Sequence, residues 1–226
     1  MRNVGFLTIG QAPRHDLSAA IEAALPVTAR VRHAGVLDGL DRARITGRFA
    51  AVAGRPALIT RLTCGDTVTL DETAVGGALQ ERIDALEDDG VDTVVLLCTG
   101  AFPALRTRRA LLVEPDALLT TYVGGVLCGR PVGVIVPLPE QVAAAREKWQ
   151  GVTPPPLFAT ASPYAEDEAG LRAAGRDLVG RGARALVLDC MGYTDRHRRA
   201  LRTDGVAVPV LTSSGITAAL TGPLLA

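Results

Sequence analysis

Two cysteines sit where the sequence changes from an apolar run to small and polar residues. Thr93-Val94-Val95-Leu96-Leu97 leads into Cys98-Thr99-Gly100, and Ala183 to Leu188, with Asp189, leads into Cys190-Met191-Gly192. A thiol has an ordinary pKa of about 8.5, and its thiolate is favoured beside backbone N–H groups or at a helix entry. A thiolate and a thiol on opposite sides of one carbon acid are the minimum set for two-base proton transfer. One removes a proton and the other returns one to the opposite face, provided a neighbouring carboxylate or carbonyl takes up the charge. Each cysteine alone also reads as a small buried apolar residue. Their equivalent positions in two similar stretches argue for a shared role.

Other candidates surround the same strand ends. The N–H groups of Thr99, Gly100 and Ala101 are placed to meet an anion or the thiolate. Gln11 and Arg14 follow the first apolar run, and a guanidinium recognises a substrate carboxylate through two parallel hydrogen bonds. Gly192, Tyr193 and Thr194 follow the second cysteine. Ser213 and Ser214 follow the last strand, where they are candidates for holding an oxyanion or for capping a helix. Asp189 points away from Cys190 along an extended chain, which suits a supporting role. His197 is a second supporting candidate. A zinc site made of Cys98, Cys190, Asp189 and His197 lacks the usual close ligand spacing, so no metal is expected there. Cys64 and Cys128 each precede a glycine in a turn and are expected to have no catalytic role.

These residues need a scaffold of alternating strands and helices. Val4 to Ile9 reads as a strand, and Leu17, Ala20, Ile21 and Ala24 give a helical stripe after Pro13. Val27 to Val36 reads as extended, and Ala57 to Leu62 with Thr67 to Leu70 as a hairpin about Gly65-Asp66. Asp71 caps a helix whose Val75, Leu79, Ile83 and Leu86 share a face up to Gly90. A continuous apolar strand after such a helix belongs in a parallel sheet covered on both faces. The plan then repeats: helix Pro115 to Leu127, strand Val132 to Val136, helix Pro139 to Trp149, strand Leu157 to Thr160, and helix Glu168 to Val179. After the cysteine-bearing strand come helix Asp195 to Leu201, strand Val206 to Leu211 and helix Gly215 to Leu225. The expectation is an α/β protein of two pseudo-symmetric Rossmann-like halves, 1–130 and 131–226, with largely parallel sheets, a cleft between them and chain ends that cross from one half to the other.

Composition narrows the partners. The 226 residues carry 24 Lys plus Arg against 24 Asp plus Glu, so no basic field draws in nucleic acid or an anionic membrane. The basic run at Arg196, His197, Arg198, Arg199 and Arg202 is short, balanced by Asp195 and Asp204, and has no interleaved aromatics. Lys148 is the only lysine, which leaves little room for Schiff-base chemistry. The apolar start is too short for a signal peptide or a membrane span, so a cytoplasmic protein with free thiols is expected. Its partner would be a small carboxylate-bearing or carbonyl-bearing molecule, and self-association into a homo-oligomer is compatible with the chain.

Thr8-Ile9-Gly10-Gln11-Ala12-Pro13-Arg14-His15-Asp16, Glu147-Lys148-Trp149, Asp189-Cys190-Met191-Gly192-Tyr193 and Arg196-His197-Arg198 resemble the AroM protein family along nearly the whole chain. More distantly, Cys98-Thr99 and Cys190-Met191-Gly192 resemble the two cysteine motifs of the aspartate/glutamate and hydantoin racemase superfamily. That resemblance implies two Rossmann-like halves, a site between them and a cofactor-independent racemase, epimerase or isomerase with Cys98 and Cys190 as acid and base. Asp189 stands where that superfamily has a small residue, and no histidine follows Cys190 before His197. A small-molecule-binding or regulatory protein that keeps the cleft without turnover is therefore the alternative.

Overall fold

A computed structural model describes residues 2–225. Its first sheet has the order β2-β1-β5-β6, built from β1 (Asn3–Thr8), β2 (Arg30–Gly35), β5 (Thr93–Leu96) and β6 (Leu111–Val113). Its second has the order β10-β9-β7-β8, built from β7 (Val132–Val136), β8 (Leu157–Thr160), β9 (Ala185–Leu188) and β10 (Val210–Thr212). All pairings in both sheets are parallel. Matching β1 with β7, β2 with β8, β5 with β9 and β6 with β10 makes the two orders identical, which is the pseudo-symmetry expected from the sequence. The central strands β5, β7 and β9 are buried at every position, as strands covered on both faces must be.

The connecting helices are α1 (His15–Glu22), α2 (Arg42–Phe49), α3 (Glu72–Asp88), α4 (Pro115–Val126), α5 (Val142–Lys148), α6 (Ala169–Gly180), α7 (Asp195–Thr203) and α8 (Ser213–Leu225). An antiparallel hairpin of β3 (Ala57–Arg61) and β4 (Thr67–Asp71) precedes α3. Asp71 caps α3 by accepting from the Ala74 N–H at 2.9 Å. The core beneath the second sheet takes in Leu119 and Val123 of α4 as well as Val134, Trp149 and Val187. Gly222 of α8 lies so close to the turn that follows α1 that a Cβ there would meet the Ala24 carbonyl oxygen at 2.8 Å.

The elements depart from the sequence expectation in several places. β2 starts at Arg30, and β10 is confined to residues 210–212 because Pro209 interrupts the run. The region 139–149 divides into a 3₁₀ turn at Pro139–Gln141 and α5. α2 and β6 are additions, and α8 begins at Ser213 with Thr212, not Ser213 or Ser214, accepting from the Gly215 N–H at 3.1 Å.

β6 is held from a distance. The Glu87 carboxylate accepts the N–H groups of Arg108, Arg109 and Ala110 at 2.7–3.0 Å. Burial works against its charge, but the three amides outweigh it and hold the carboxyl down at about 2. Glu87→Ala is expected to destabilise the fold by about 2 kcal/mol or more, since it leaves several loop amides without acceptors. The shift in urea midpoint at neutral pH measures this. Because the folded pKa lies below the ordinary 4.5, the contribution is complete above that value and fades as pH falls toward 2.

Candidate active site

In open parallel sheets ligands sit outside the carboxyl ends of strands, at the point where the chain leaves in opposite directions. In the first sheet that point lies between β1 and β5, and in the second between β7 and β9. Cys98 follows β5 by two residues and Cys190 follows β9 by two residues. Each sulfur accepts the N–H of the glycine two positions on: Gly100 to Cys98 Sγ at 3.3 Å and Gly192 to Cys190 Sγ at 3.4 Å. Both cysteines line one cavity of about 90 Å3, bounded by the ends of β1 and β7, by β3 and by α5. That is room for several waters or one small organic acid.

Gly192 is demanded by packing. A Cβ there would stand 2.6 Å from the Tyr164 hydroxyl oxygen and 3.0 Å from Pro163, so only glycine lets that ring reach the cavity. Thr8, Thr99 and Tyr164 are the hydroxyl-bearing residues beside Thr60 in the lining, while Ile9, Leu17, Leu58, Leu97, Val136 and Met191 make much of it apolar. Burial, followed by charge on Cys190, pushes the Tyr164 hydroxyl up, so it stays protonated and able to donate.

A buried ionic network lies behind the two thiols. Lys148 Nζ donates to the Thr99 carbonyl oxygen at 2.8 Å and to Asp189 Oδ1 at 2.8 Å, and lies 3.2 Å from Asp116 Oδ1. Trp149 Nε1 donates to Asp189 Oδ2 at 2.8 Å. The side chains of Lys148 and Asp189 are only 7% and 3% exposed. Burial opposes the ammonium charge, but Asp189 and Asp116 hold its pKa above the ordinary value. One ammonium with three donors thus meets an oxygen beside Cys98, a carboxylate beside Cys190 and a carboxylate on α4.

Burial pushes both thiols up, Cys98 to about 12 and Cys190 to about 11, with the Gly100 and Gly192 amides and Lys148 acting in the opposite direction. Charge on Cys190 raises Cys98 further, so the pair favours one thiolate over two. These thiols ionise more readily in the unfolded chain, where they take the ordinary thiol value. Their contribution to stability is therefore complete below about pH 9 and is lost as pH rises toward 11 and 12. The wild-type urea midpoint should fall across that window more steeply than that of the Cys98→Ala/Cys190→Ala double variant. Equal slopes would contradict the assignment.

Of the residues singled out in the sequence, Cys98, Thr99, Gly100, Asp189, Cys190 and Gly192 meet at the cavity. The others have different partners. Gln11 ties the first loop to the hairpin turn, donating to the Leu40 carbonyl oxygen and accepting from Thr63. Arg14 is buried and committed: it makes two bonds to Asp16 at 2.8 and 2.7 Å, reaches Thr60 and the Arg61 carbonyl oxygen at 3.3 Å, and lies against the Tyr164 ring. Tyr193 is fully buried and donates to the Ala161 carbonyl oxygen. Thr194 and His197 form the N-terminal cap of α7, where His197 Nδ1 accepts the Thr194 N–H at 2.9 Å and Nε2 lies 3.1 Å from the Pro163 carbonyl oxygen. That arrangement requires the neutral Nε2–H tautomer. Ser213 and Ser214 donate to the carbonyl oxygens of Leu188 and Tyr193, bracing the Cys190 loop from behind. Lys148, Tyr164 and Glu72 were not singled out as site residues, yet all three line the cavity.

A sequence profile described as AroM protein matches residues 4–225. The chain belongs to the AroM family. No curated protein matches it. Among solved structures, this AroM chain is similar to the allantoin racemase from Klebsiella pneumoniae, with 16% identity, a TM-score of 0.65, and coverage of 100% of this chain and 88% of the other. It is also similar to the glutamate racemase from Aquifex pyrophilus, with 14% identity, a TM-score of 0.62 and coverage of 99% and 84%. Arylmalonate decarboxylase is a further likeness, at 15% identity, a TM-score of 0.60 and coverage of 99% and 92%. At such identities the likeness shows the fold alone: the two parallel α/β sheets of this chain are arranged as in these racemase structures. Among the described residues no helix is long and apolar enough to cross a membrane.

Proposed function

We propose that the protein is a cofactor-independent enzyme of the isomerase type that moves a proton at the carbon next to a carboxylate or carbonyl, with Cys98 and Cys190 as the two acid/base groups. The observation that carries this reading is the matched pair of sulfurs at equivalent strand ends, each receiving a glycine N–H and both lining one small cavity. One sulfur, as thiolate, takes the α-proton. The bonding pair moves into the carboxylate or carbonyl, and the other thiol delivers its proton to the opposite face, so the two cysteines exchange protonation states. The hydroxyls of Thr8, Thr99 and Tyr164 are the donors on hand for the charge that develops on the substrate oxygens. The racemases and the decarboxylase of the same fold support a small carboxylate as substrate.

One observation favours a second reading, binding without turnover: both thiols are held neutral at physiological pH. Incubating the protein with single enantiomers of small amino acids, hydantoins and substituted short dicarboxylates in D2O separates the two. Loss of the α-proton signal, rising with pH above neutrality as thiolate forms, supports the enzyme. Stoichiometric calorimetric binding of such a molecule with no exchange at any pH supports the second reading and overturns the first.

A further inference from the structure

Away from the cavity, α1 and the edge strand β2 bring together two of the three histidines and one carboxylate. Glu22 Oε1 lies 3.4 Å from His33 Nε2 and 3.8 Å from His15 Nδ1, and the ligand atoms of all three residues fall within 4.8 Å of one another. Glu22 Oε1 is buried and accepts no hydrogen bond among the described residues. The two imidazole rings meet edge to face at 5.0 Å, and His33 is further oriented by stacking on Phe6 at 5.5 Å.

We propose that His15, Glu22 and His33 form a binding site for one divalent transition-metal ion of the zinc class. Bonds of about 2.0–2.1 Å to nitrogen and oxygen place tetrahedral ligand atoms about 3.4 Å apart. The Glu22–His33 spacing already has that value, and the Glu22–His15 spacing is within about half an ångström of it. His15 closes the remainder by a side-chain movement, since it is 67% exposed at the start of α1. Two imidazoles and one carboxylate suit zinc and its transition-metal neighbours better than calcium or magnesium, which prefer all-oxygen sets. The exposed side leaves a fourth position for water. The ion would tie α1, whose Leu17 lines the cavity, to the edge of the first sheet. It is independent of the proposed reaction.

The full-length protein, stripped with a chelator and kept reduced, is titrated with cobalt(II) chloride and followed by visible absorption, then displaced with zinc chloride. One cobalt per chain, with the comparatively intense d–d bands of a tetrahedral site and no thiolate-to-cobalt charge-transfer band, is the expected result. Affinity should fall by at least about a hundredfold in both His15→Ala and Glu22→Gln, given that even outer-shell changes cost 10–100-fold. His15→Ala alters an exposed side chain and should leave the far-ultraviolet circular dichroism spectrum unchanged. No uptake, a spectrum dominated by thiolate ligation, or unchanged affinity in folded His15→Ala would overturn the proposal.

Discussion

Lys148→Met should lower the stability of the protein by about 3–5 kcal/mol, the usual cost of leaving a buried charge without its partner. Methionine matches the length of the lysine stem and removes only the ammonium. Asp189 would keep its bond from Trp149 Nε1, but its second oxygen and Asp116 would face each other without the cation between them. The Thr99 carbonyl oxygen would lose its donor at the same time. Lys148→Arg should recover only part of the loss, because a planar fork cannot reproduce the directions of the two ammonium hydrogen bonds to Thr99 and Asp189 while also staying close to Asp116. Urea denaturation at neutral pH reads the first effect directly. A Lys148→Met protein within about 1 kcal/mol of wild type would show that the network is replaceable.

The same residue shows where sequence reasoning reaches its limit. A lysine between Glu147 and Trp149 on a helix reads as solvated, and its partners Thr99 and Asp189 lie 49 and 41 residues away in the chain. Nothing local announces the burial. Glu87 is similar, since its three amide donors sit more than twenty residues further on, and β6 is too short to give a pattern of its own. α2 was illegible for another reason: its sequence Arg42-Ala43-Arg44-Ile45-Thr46-Gly47-Arg48-Phe49 buries only Ile45 and Phe49, so no stripe stands out.

What was legible followed from local rules. Thr93 to Leu96 is buried at every position, and Asp71 ahead of the Val75, Leu79 and Ile83 stripe marked the start of α3. Those two elements alone put Cys98 at a strand end. Arg14 could have been read more fully, because an acid two residues on is a nearer partner than any ligand, and its bidentate pairing with Asp16 is the result. Thr194 and His197 likewise have the three-residue spacing of a reciprocal helix cap.

The cysteine substitutions should have the largest effect on activity. Removing either sulfur removes one face of the proton transfer, so Cys98→Ala and Cys190→Ala should each reduce interconversion of enantiomers by at least about a thousandfold, near the middle of the range ascribed to positioned acid–base groups. Both alanines fit the space without new contacts, and each variant is expected to remain folded. Loss of interconversion by itself would not separate two bases from one base with a supporting thiol. The distinction lies in which enantiomer still exchanges its proton with solvent.

The decisive measurement is therefore α-deuteration of each pure enantiomer in D2O by the two single variants, followed by NMR. A thiol that remains can still remove and return a proton on its own face. Cys98→Ala should exchange one enantiomer, Cys190→Ala should exchange only the other, and neither should invert its substrate. If both variants exchange the same enantiomer, or if either still interconverts the two at the wild-type rate, Cys98 and Cys190 are not opposed bases across one cavity.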